Sequence, residues 1–487
     1  MNVKNVSTEL IEEAIAERCR RSFYFFVQTF WDTIITEEPV WNWHIEYLCD
    51  ELQRISEYIV NRLPKPYDMI VNIPPGTSKS TVFSVMLNAW IWTIAPWVQV
   101  ISNSYSADLS IELATKTKDI VTSDKYKHYF PIVQLRGDKC GKQHYETTEG
   151  GFRYATSTGA TITGYHAHII INDDPVNPKQ ANSEPMRIIA NEHTKTLSSR
   201  KVNKENTPTI TIMQRLHTED VTGYLLARKA DKIRHICLPA EVGDNVSPPE
   251  LKDCYKDGLL DPVRLNRHVL DELLIDLGSL QYAGQIEQRP TIAGGNIVKR
   301  EWFKHIKVAD FKRMYDNEPI VFFIDTAYTD KTDNDPTGII ATCKIGGDLY
   351  VTHAQKVNMK FPDLIRFIPE YAKQHGYSNR SSVRIEPKAN GISVVDQLKE
   401  TTGLNIVRTP SPRDSKETRL YAASPTIESG RVVLVEGAWN EAFEDEVCGF
   451  PAKPHDEYVD ILGYAIDYHI SSPFKPINKA RIASKIY

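Results

Sequence analysis

Closely spaced cysteines are missing from this sequence. Its seven cysteines are scattered along the chain, and none belongs to a Cys-x-x-Cys pair. Disulfide-stabilised domains and structural zinc sites depend on such spacing, so we expect neither kind of site. A sequence of this type is typical of a reducing compartment.

Long apolar runs are also missing. No uninterrupted apolar segment approaches the roughly 20 residues of a membrane-spanning helix, and residues 1–10 lack the apolar core of a secretory signal. We therefore expect a protein that is neither secreted nor embedded in a membrane. Its apolar content of 41% and charged content of 25% are ordinary for a globular protein, and its 487 residues suffice for two to three domains.

An excess of positive charge is the third absence. The chain has 58 Lys and Arg residues against 63 Asp and Glu residues, which gives a net charge of −5. Binding of nucleic acid would therefore need local basic patches rather than a positive field over the whole surface.

A strand, a tight loop and a helix follow one another early in the chain. The apolar run Met69–Ile73 leads into the loop Pro74–Thr81, which ends in Lys-Ser-Thr. In a phosphate-binding loop the backbone N–H groups hold the anion, the Lys neutralises it and the hydroxyl binds Mg²⁺. The usual motif has glycine where this chain has Ile73 and Ser78, so an ordinary strand-to-helix turn is the alternative. The predicted ATP-binding residues are Pro75, Gly76, Thr77, Ser78, Lys79, Ser80 and Thr81.

Two ring-bearing residues lie upstream of this loop. Trp43 and His44 could flank an adenine base. Core packing of the tryptophan residues is the alternative interpretation.

A second apolar strand ends in paired carboxylates. Three consecutive isoleucines at 169–171 lead through Asn172 into Asp173 and Asp174. In an ATPase the first carboxylate would hold the hydrated magnesium together with Ser80, and the second would polarise the attacking water. A turn capped by Asp is the alternative. Strands and helices alternate through this half of the chain, which predicts a mostly parallel sheet covered on both faces.

A further strand at 207–213 ends in Gln214 and Arg215. Polar groups at such a strand end can sense the γ-phosphate and couple hydrolysis to movement, whereas a solvent-facing loop is the alternative. Arg215 and Arg153 are both candidates for an arginine finger.

The second half of the chain places carboxylates after two apolar strands and near the start of a helix. Asp325 and Glu386 end the strands, and Asp456 and Asp460 are spaced i, i+4 for one helix face. Carboxylates that converge in this way can hold two divalent cations for phosphodiester cleavage, and hard oxygen ligands favour Mg²⁺ or Mn²⁺. Alternatively, Asp456 is a helix N-cap and Asp325 begins a turn.

With both halves considered, the chain resembles the large terminase subunit of tailed bacteriophages, over nearly its whole length. The resemblance rests on Pro74–Thr81, Thr161–Pro175, Met213–Asp220, Gln285–Pro290, Asp325, Glu386, Ser415–Arg419, Ser429–Val432 and His455–Asp460. The chain has Asp174 where many ATPases carry Glu. It has Glu457 where the family more often has Asp, which predicts Asp456 as the stronger metal ligand and Asp460 as the auxiliary one.

The resemblance implies an α/β architecture, with an N-terminal P-loop ATPase of the additional-strand class and a C-terminal RNase H-like nuclease domain. We expect the ATPase at 1–245, a linker at 246–315, the nuclease at 316–474 and a basic tail at 475–487. ATP hydrolysis would drive double-stranded DNA into the procapsid, and a two-metal endonuclease would cut the concatemer. The implied cofactors are ATP and Mg²⁺, for which Mn²⁺ could substitute in the nuclease.

The same resemblance implies the partners and the location. These are double-stranded DNA, the portal protein, the small terminase subunit and further copies of the chain in a ring on the procapsid, all in the host cytoplasm during assembly. The candidate DNA contacts are Arg408, Arg413, Lys416 and Arg419, for which a solvated charge run is the alternative. The tail could contact DNA, dock on the portal or be disordered.

Four residues are predicted to be catalytic and six to bind metal. The predicted catalytic residues are Asp174, Asp325, Glu386 and Asp456, and the predicted metal ligands are Ser80, Asp173, Asp325, Glu386, Asp456 and Asp460. Two rival functions are a helicase or repair ATPase fused to a nuclease and a capsid component that only binds nucleotide. The first would often carry a second ATPase core, and the second leaves the later carboxylates unexplained.

Overall fold

The computed structural model describes residues 8–290, 297–326, 336–386, 391–409, 414–453 and 455–471. The chain divides into two compact units, Met1–Ile292 and Ala293–Tyr487. The linker predicted at 246–315 spans this division, so that 246–292 belongs to the N-terminal unit and 293–315 to the C-terminal unit. The boundaries at 245 and 315 remain predictions.

The N-terminal unit alternates strands and helices. Its strands are β1 (Asp68–Asn72), β2 (Gln99–Ser104), β3 (Leu135–Cys140), β4 (His144–Thr147), β5 (Phe152–Ser157), β6 (Ile169–Asp173), β7 (Thr209–Met213) and β8 (Ile233–Cys237). Its α-helices are α1 (Thr8–Arg21), α2 (Phe23–Phe30), α3 (Trp43–Val60), α4 (Leu87–Trp92), α5 (Ala107–Thr122), α6 (Asp124–Tyr129), α7 (Pro178–Ala181), α8 (Glu184–Leu197), α9 (Val221–Lys229) and α10 (Arg267–Gln285). A π-helical segment, Thr81–Met86, leads directly into α4.

The strands of this unit form one sheet in the order β3-β4-β5-β2-β6-β7-β1-β8. Along this sheet order, each pair of adjacent strands from β5 through to β8 is parallel. Strand β4 is antiparallel to both of its neighbours, β3 and β5. β7 lies between β1, which precedes the phosphate loop, and β6, which ends in Asp173. This order confirms the predicted mostly parallel sheet and its additional strand.

Apolar β-branched residues account for the central strands. Ile169, Ile171, Ile210 and Ile212 are buried in β6 and β7, as expected for parallel strands covered on both faces. Since the strands are parallel, their carboxyl ends meet at one edge. The pairing of Asn72 with Met213 and of Asp173 with Ile212 places the ends of three neighbouring strands side by side.

The C-terminal unit has a sheet of mixed direction. Its strands are β9 (Lys304–Ile306), β10 (Val321–Asp325), β11 (Thr337–Ile345), β12 (Asp348–Val357), β13 (Ser382–Ile385), β14 (Ile406–Arg408) and β15 (Val432–Val435). Its α-helices are α11 (Val308–Met314), α12 (Phe361–Gln374), α13 (Gly391–Thr401), α14 (Lys416–Glu428), α15 (Asn440–Val447) and α16 (Glu457–Ile466).

The strand order of this sheet is β14-β13-β10-β11-β12-β15-β9. β10, β11 and β12 form an antiparallel meander, and β13 and β14 continue the sheet parallel to β10. This arrangement is RNase H-like and confirms the predicted fold. β10 and β13 are parallel neighbours with Ile324 paired to Ile385, so the residues that follow each strand emerge at the same edge.

Helix α16 covers the meander on one face. Its Ile461 and Leu462 belong to the same buried cluster as Phe323 of β10 and Ile340 of β11. In the part of the chain that the structure describes, no helix combines the length and the apolar character that crossing a membrane requires.

Two candidate active sites

The loop after β1 has the backbone shape that phosphate binding needs. Gly76 has φ of +77° and Ser78 has φ of +64°. A residue with a Cβ atom in this left-handed region costs about 1 kcal/mol relative to the right-handed region, whereas glycine adopts it freely. Ser78 therefore takes a conformation that favours glycine at the position where the usual motif has glycine.

The phosphate loop and the paired carboxylates meet across the sheet edge. Lys79 Nζ lies 3.1 Å from Asp174 Oδ2 and is almost fully buried. Ser80 Oγ donates a hydrogen bond of 3.1 Å to Asp173 Oδ1, and Ser84 Oγ donates one of 2.6 Å to Asp173 Oδ2. The predicted hydroxyl and carboxylate of the magnesium site are thus in direct contact.

Ser84 is absent from the predicted set. It lies one helical turn after Ser80, so the i, i+4 spacing of the two hydroxyls is the signal in the sequence that identifies it. Both serines face the same carboxylate because the helix presents residues four apart on one side.

Burial and a neighbouring charge act together on Asp173. Desolvation and the adjacent Asp174 carboxylate raise the pKa of Asp173, while the hydrogen bond from Ser84 and the charge of Lys79 oppose this rise. A buried carboxylate crowded by a second, partly exposed one favours binding of a cation, which would offset both effects. The pair is thus suited to a divalent metal.

The backbone holds Asp174 in an unusual conformation. Its φ is +41°, in the left-handed region. Its N–H donates to the carbonyl oxygen of Ile212 at 2.8 Å, and its carbonyl oxygen accepts from the N–H of Tyr105 at 3.0 Å. Strained backbone of this kind is often found at functional sites, and here it aims the carboxylate at Lys79.

The two predicted arginine fingers lie in different surroundings. Arg153 is fully buried and donates hydrogen bonds to the carbonyl oxygen of Ser84 and to Oγ1 of Thr117. Burial lowers its pKa. Arg153 thus joins the helix after the phosphate loop to α5, inside the unit.

Arg215 is anchored at the end of β7. Its Nε lies 3.0 Å from a carboxylate oxygen of Asp220, and its N–H donates to Oε1 of Gln288 at 2.9 Å. Asp220 also caps α9 through the N–H of Gly223 at 2.9 Å. Gln214, the other predicted coupling residue, is buried beside Arg215.

His44 and Trp43 are both packed within the protein. His44 Nε2 lies 3.3 Å from the carbonyl oxygen of Thr77 in the phosphate loop, and its ring is fully buried. Burial lowers the pKa of His44 to about 4, so the ring is neutral near pH 7. Trp43 packs against Tyr255, with ring centroids 5.7 Å apart, in agreement with core packing.

In the C-terminal unit three carboxylates converge. Asp325 at the end of β10, Glu386 just after β13 and Asp460 in α16 each offer an oxygen within 4.8 Å of the other two. All three side chains are buried. The N–H of Glu386 donates to the carbonyl oxygen of Ile324 at 3.2 Å, which fixes its position beside Asp325.

Asp456 lies outside this trio of acids. It precedes α16 with φ of −147° and ψ of 16°, and 31% of its side chain is exposed, against 0% for Asp460. Asp456 is the N-cap residue of α16, and its carboxylate lies near that of Asp460 but does not join the three that converge. Asp460 is thus a member of the trio and Asp456 lies at its edge, while their relative strength as metal ligands stays a prediction.

Two predicted DNA contacts face the acids. Lys416 Nζ lies 2.5 Å from Asp456 Oδ1 and 2.8 Å from Asp460 Oδ2, and Arg419 forms an ion pair with Asp460. Burial would lower the pKa of Lys416, but the hydrogen bonds to Asp456 and Asp460 outweigh it and raise that pKa. These cations partly balance the carboxylates.

Of the remaining basic candidates, the structure describes one. Arg408 lies at the end of β14 and pairs with Asp396 at 2.7 Å. Arg413 and the predicted tail at 475–487 lie outside the described residues.

A family comparison matches this unit. Residues 323–469 match the family model described as the terminase RNaseH-like domain, and that span contains all the predicted acids of this half. This match falls within the C-terminal unit, whose strand order is RNase H-like. No curated protein sequence matches the chain.

One solved large terminase is similar in fold to this chain over both units. The large terminase of a thermophilic bacteriophage aligns with a TM-score of 0.54 at 10% identity, over 86% of this chain and 98% of that one. The same protein in complex with ATP-gamma-S aligns with a TM-score of 0.51 at 10% identity, over the same shares. The HK97 bacteriophage large terminase gives 0.35 at 11% identity, over 85% and 88%. The likeness to the thermophilic phage protein shows that the chain has a large terminase fold.

Within the matched segment, Glu457 has a different partner from its acidic neighbours. It is buried and forms an ion pair with Lys356, which also pairs with Glu446. The longer side chain at this position thus belongs to a buried ion cluster rather than to the trio of acids.

Proposed function

We propose that this chain is the large terminase subunit of a tailed bacteriophage, an ATP-driven DNA-packaging motor that also cuts DNA. The observation that carries this proposal is the presence in one chain of two different acidic sites. One joins a phosphate loop to paired carboxylates, and the other lies in the segment that matches the terminase RNaseH-like family model.

The first site fits magnesium-bound ATP. Ser80 and Asp173 supply hard oxygen ligands that would hold the metal, and Lys79 would face the phosphates. Among the described residues, Oδ1 of Asp174 is buried without a hydrogen-bond partner, so it can accept a hydrogen bond from the attacking water. Gln214 and Arg215 are the groups through which phosphate release would be sensed.

The second site fits divalent metal ions bound by Asp325, Glu386 and Asp460, with Asp456 at its rim. Mg²⁺ or Mn²⁺ would supply charge stabilisation for phosphodiester cleavage. Lys416 and Arg419 lie beside the acids, and when metals neutralise the carboxylates these cations become free to hold a DNA phosphate.

The partners follow from the proposed role. Double-stranded DNA is the substrate, and copies of the chain would form a ring on the procapsid with the portal protein and the small terminase subunit. The work would take place in the host cytoplasm. A helicase fused to a nuclease is the alternative, and it would unwind a tailed DNA duplex, which a packaging motor would translocate without strand separation.

A reciprocal pair of variants tests the assignment of the two activities. Lys79→Ala should lower ATP turnover at least ~100-fold, because the phosphates lose their buried cation, while cleavage of plasmid with Mn²⁺ stays near wild type. Asp325→Ala should do the reverse through loss of a metal ligand. Colorimetric phosphate release and gel-based plasmid cleavage measure both. Persistent cleavage in Asp325→Ala would show that the nuclease site is elsewhere.

A further inference from the structure

The phosphate loop contains an unfavourable backbone conformation at a residue that the proposed site needs. Ser78 precedes Lys79 and has φ of +64°. A residue with a side chain keeps such a conformation only where neighbouring groups hold it. The peptide just before it carries the carbonyl oxygen of Thr77.

That carbonyl oxygen faces a buried histidine. Nε2 of His44 lies 3.3 Å from the carbonyl oxygen of Thr77. On the other side of the ring, Nδ1 lies 2.6 Å from Nδ2 of Asn42. An amide nitrogen can only donate, so Nδ1 of His44 accepts and the ring proton resides on Nε2. The histidine therefore donates its single N–H to the loop.

Asn42 is held in turn by a loop far away in the sequence. Its Nδ2 also donates to the carbonyl oxygen of Leu260 at 2.7 Å. Nearby, Arg264 donates to the carbonyl oxygen of Val40 at 2.7 Å and pairs with the buried Asp261 at 3.2 Å. Two contacts thus fix the segment that presents His44.

We propose that His44 is a positioning residue that holds the phosphate loop in its binding conformation and compensates for the serine at position 78. The hydrogen bond to Thr77 fixes the peptide before Ser78. The backbone N–H groups after Ser78 then point toward the phosphates before ATP binds. Binding of ATP therefore does not lose free energy in ordering the loop. The inference rests on the proposed ATPase function.

A double-mutant cycle tests this role. The variants are His44→Leu, Ser78→Gly and the double variant in the full chain, and the probe is magnesium-bound ADP with a fluorescent label. In the chain that keeps Ser78, His44→Leu should weaken ADP binding ~5-fold, about the worth of one neutral hydrogen bond. In the chain that carries Ser78→Gly the loss should fall below ~2-fold, because glycine adopts the left-handed conformation without support.

Steady-state kinetics gives a second readout. His44→Leu should raise the KM for ATP more than it lowers kcat, since His44 touches neither the phosphates nor the attacking water. His44→Gln should recover most of the binding, because its amide can donate to the same carbonyl oxygen. His268→Leu, which alters a histidine with 82% of its side chain exposed, is the matched control and should change neither quantity.

Each outcome gives a clear result. Equal losses with and without Ser78→Gly would overturn the compensating role, and so would no rescue by His44→Gln in a variant that unfolds at the wild-type temperature. If the wild-type chain binds ADP, and His44→Leu weakens ADP binding equally with and without Ser78→Gly, then this inference alone is contradicted. A wild-type chain that neither binds ADP nor hydrolyses ATP would overturn the proposed function and the inference together.

Discussion

The two acidic sites occupy equivalent places in their sheets but are assembled differently. In the N-terminal unit the acids Asp173 and Asp174 are adjacent in sequence, and Lys79 with Ser80 meets them from the neighbouring loop. In the C-terminal unit three acids arrive from two strands and a helix. The first site is built from two short segments, whereas the second depends on three elements that are distant in sequence.

The neutralising charges differ in the same way. The cation of the first site, Lys79, comes from the phosphate loop itself and pairs with Asp174 at 3.1 Å. The cations of the second site, Lys416 and Arg419, come from α14 and pair with Asp460 of α16. The charges of the first site thus come from two short segments, while those of the second site depend on the docking of two helices.

The largest expected effect is the difference in DNA cleavage between variants of the two acids at α16. Asp460→Asn should lower Mn²⁺-dependent plasmid cleavage more than ~100-fold, because a buried member of the trio loses its charge. Asp456→Asn should lower cleavage less than ~10-fold. Initial rates of nicking at saturating Mn²⁺ measure both variants. If the two variants are equally stable to heat and lose cleavage activity equally, the peripheral position of Asp456 is refuted.

A smaller effect should follow from removing one cation of the second site. Lys416→Met leaves Asp456 and Asp460 with less positive charge nearby and should destabilise the C-terminal unit by about 1–2 kcal/mol without metal. Added Mn²⁺ should restore most of that loss, because the ion replaces the missing charge. Thermal unfolding with EDTA and with Mn²⁺ measures it. Lys399→Met, at an exposed position, is the control, and an Mn²⁺-independent loss would contradict the charge-balancing role.

The smallest effect should be a dependence of stability on pH. Burial lowers the pKa of His469 in the C-terminal unit to about 4, whereas the unfolded chain takes up the proton near its ordinary pKa of about 6.5. The stability is therefore complete above pH 6.5 and is lost as the pH falls toward 4. Between pH 7 and pH 6 this histidine should account for about 0.7 kcal/mol.

His469→Gln tests the pH dependence, since a glutamine amide can donate to Oγ1 of Thr342 as Nε2 of His469 does at 3.1 Å. Calorimetry of the full chain at pH 7 and pH 6 should give a smaller pH shift for the C-terminal unit in this variant. The exposed His268→Gln should leave the shift unchanged. If both variants behave like the wild-type protein, the titration of His469 does not affect stability in this range.

The sequence predicts most of what is local. Strand ends in parallel sheets meet at one edge, so the positions of Lys79, Asp173, Asp325 and Glu386 could be predicted from the strands that precede them, while their roles stay predictions. The sequence could not show whether Asp456 or Asp460 belongs to the trio of acids, because that depends on where α16 begins and on how it docks. The bond from His44 to the phosphate loop is equally hidden, since it joins residues whose proximity only the fold defines.

Residues 246–292 illustrate the same limit. Their polar, turn-rich sequence predicts a junction, yet Leu260 and Asp261 lie in the N-terminal unit and support the segment that carries His44. A turn-rich composition does not indicate what the segment contacts, and this segment also contains the helix α10. The contacts of the segment depend on long-range hydrogen bonds, which a local sequence pattern does not predict.

The position of α16 at the end of the described chain has a consequence for biosynthesis. Asp325 and Glu386 leave the ribosome before Asp460, and the trio of acids closes only after α16 packs on β10 and β11. Contacts between segments distant in sequence form late in folding. A chain that stops before α16 would therefore contain only two of the three converging acids.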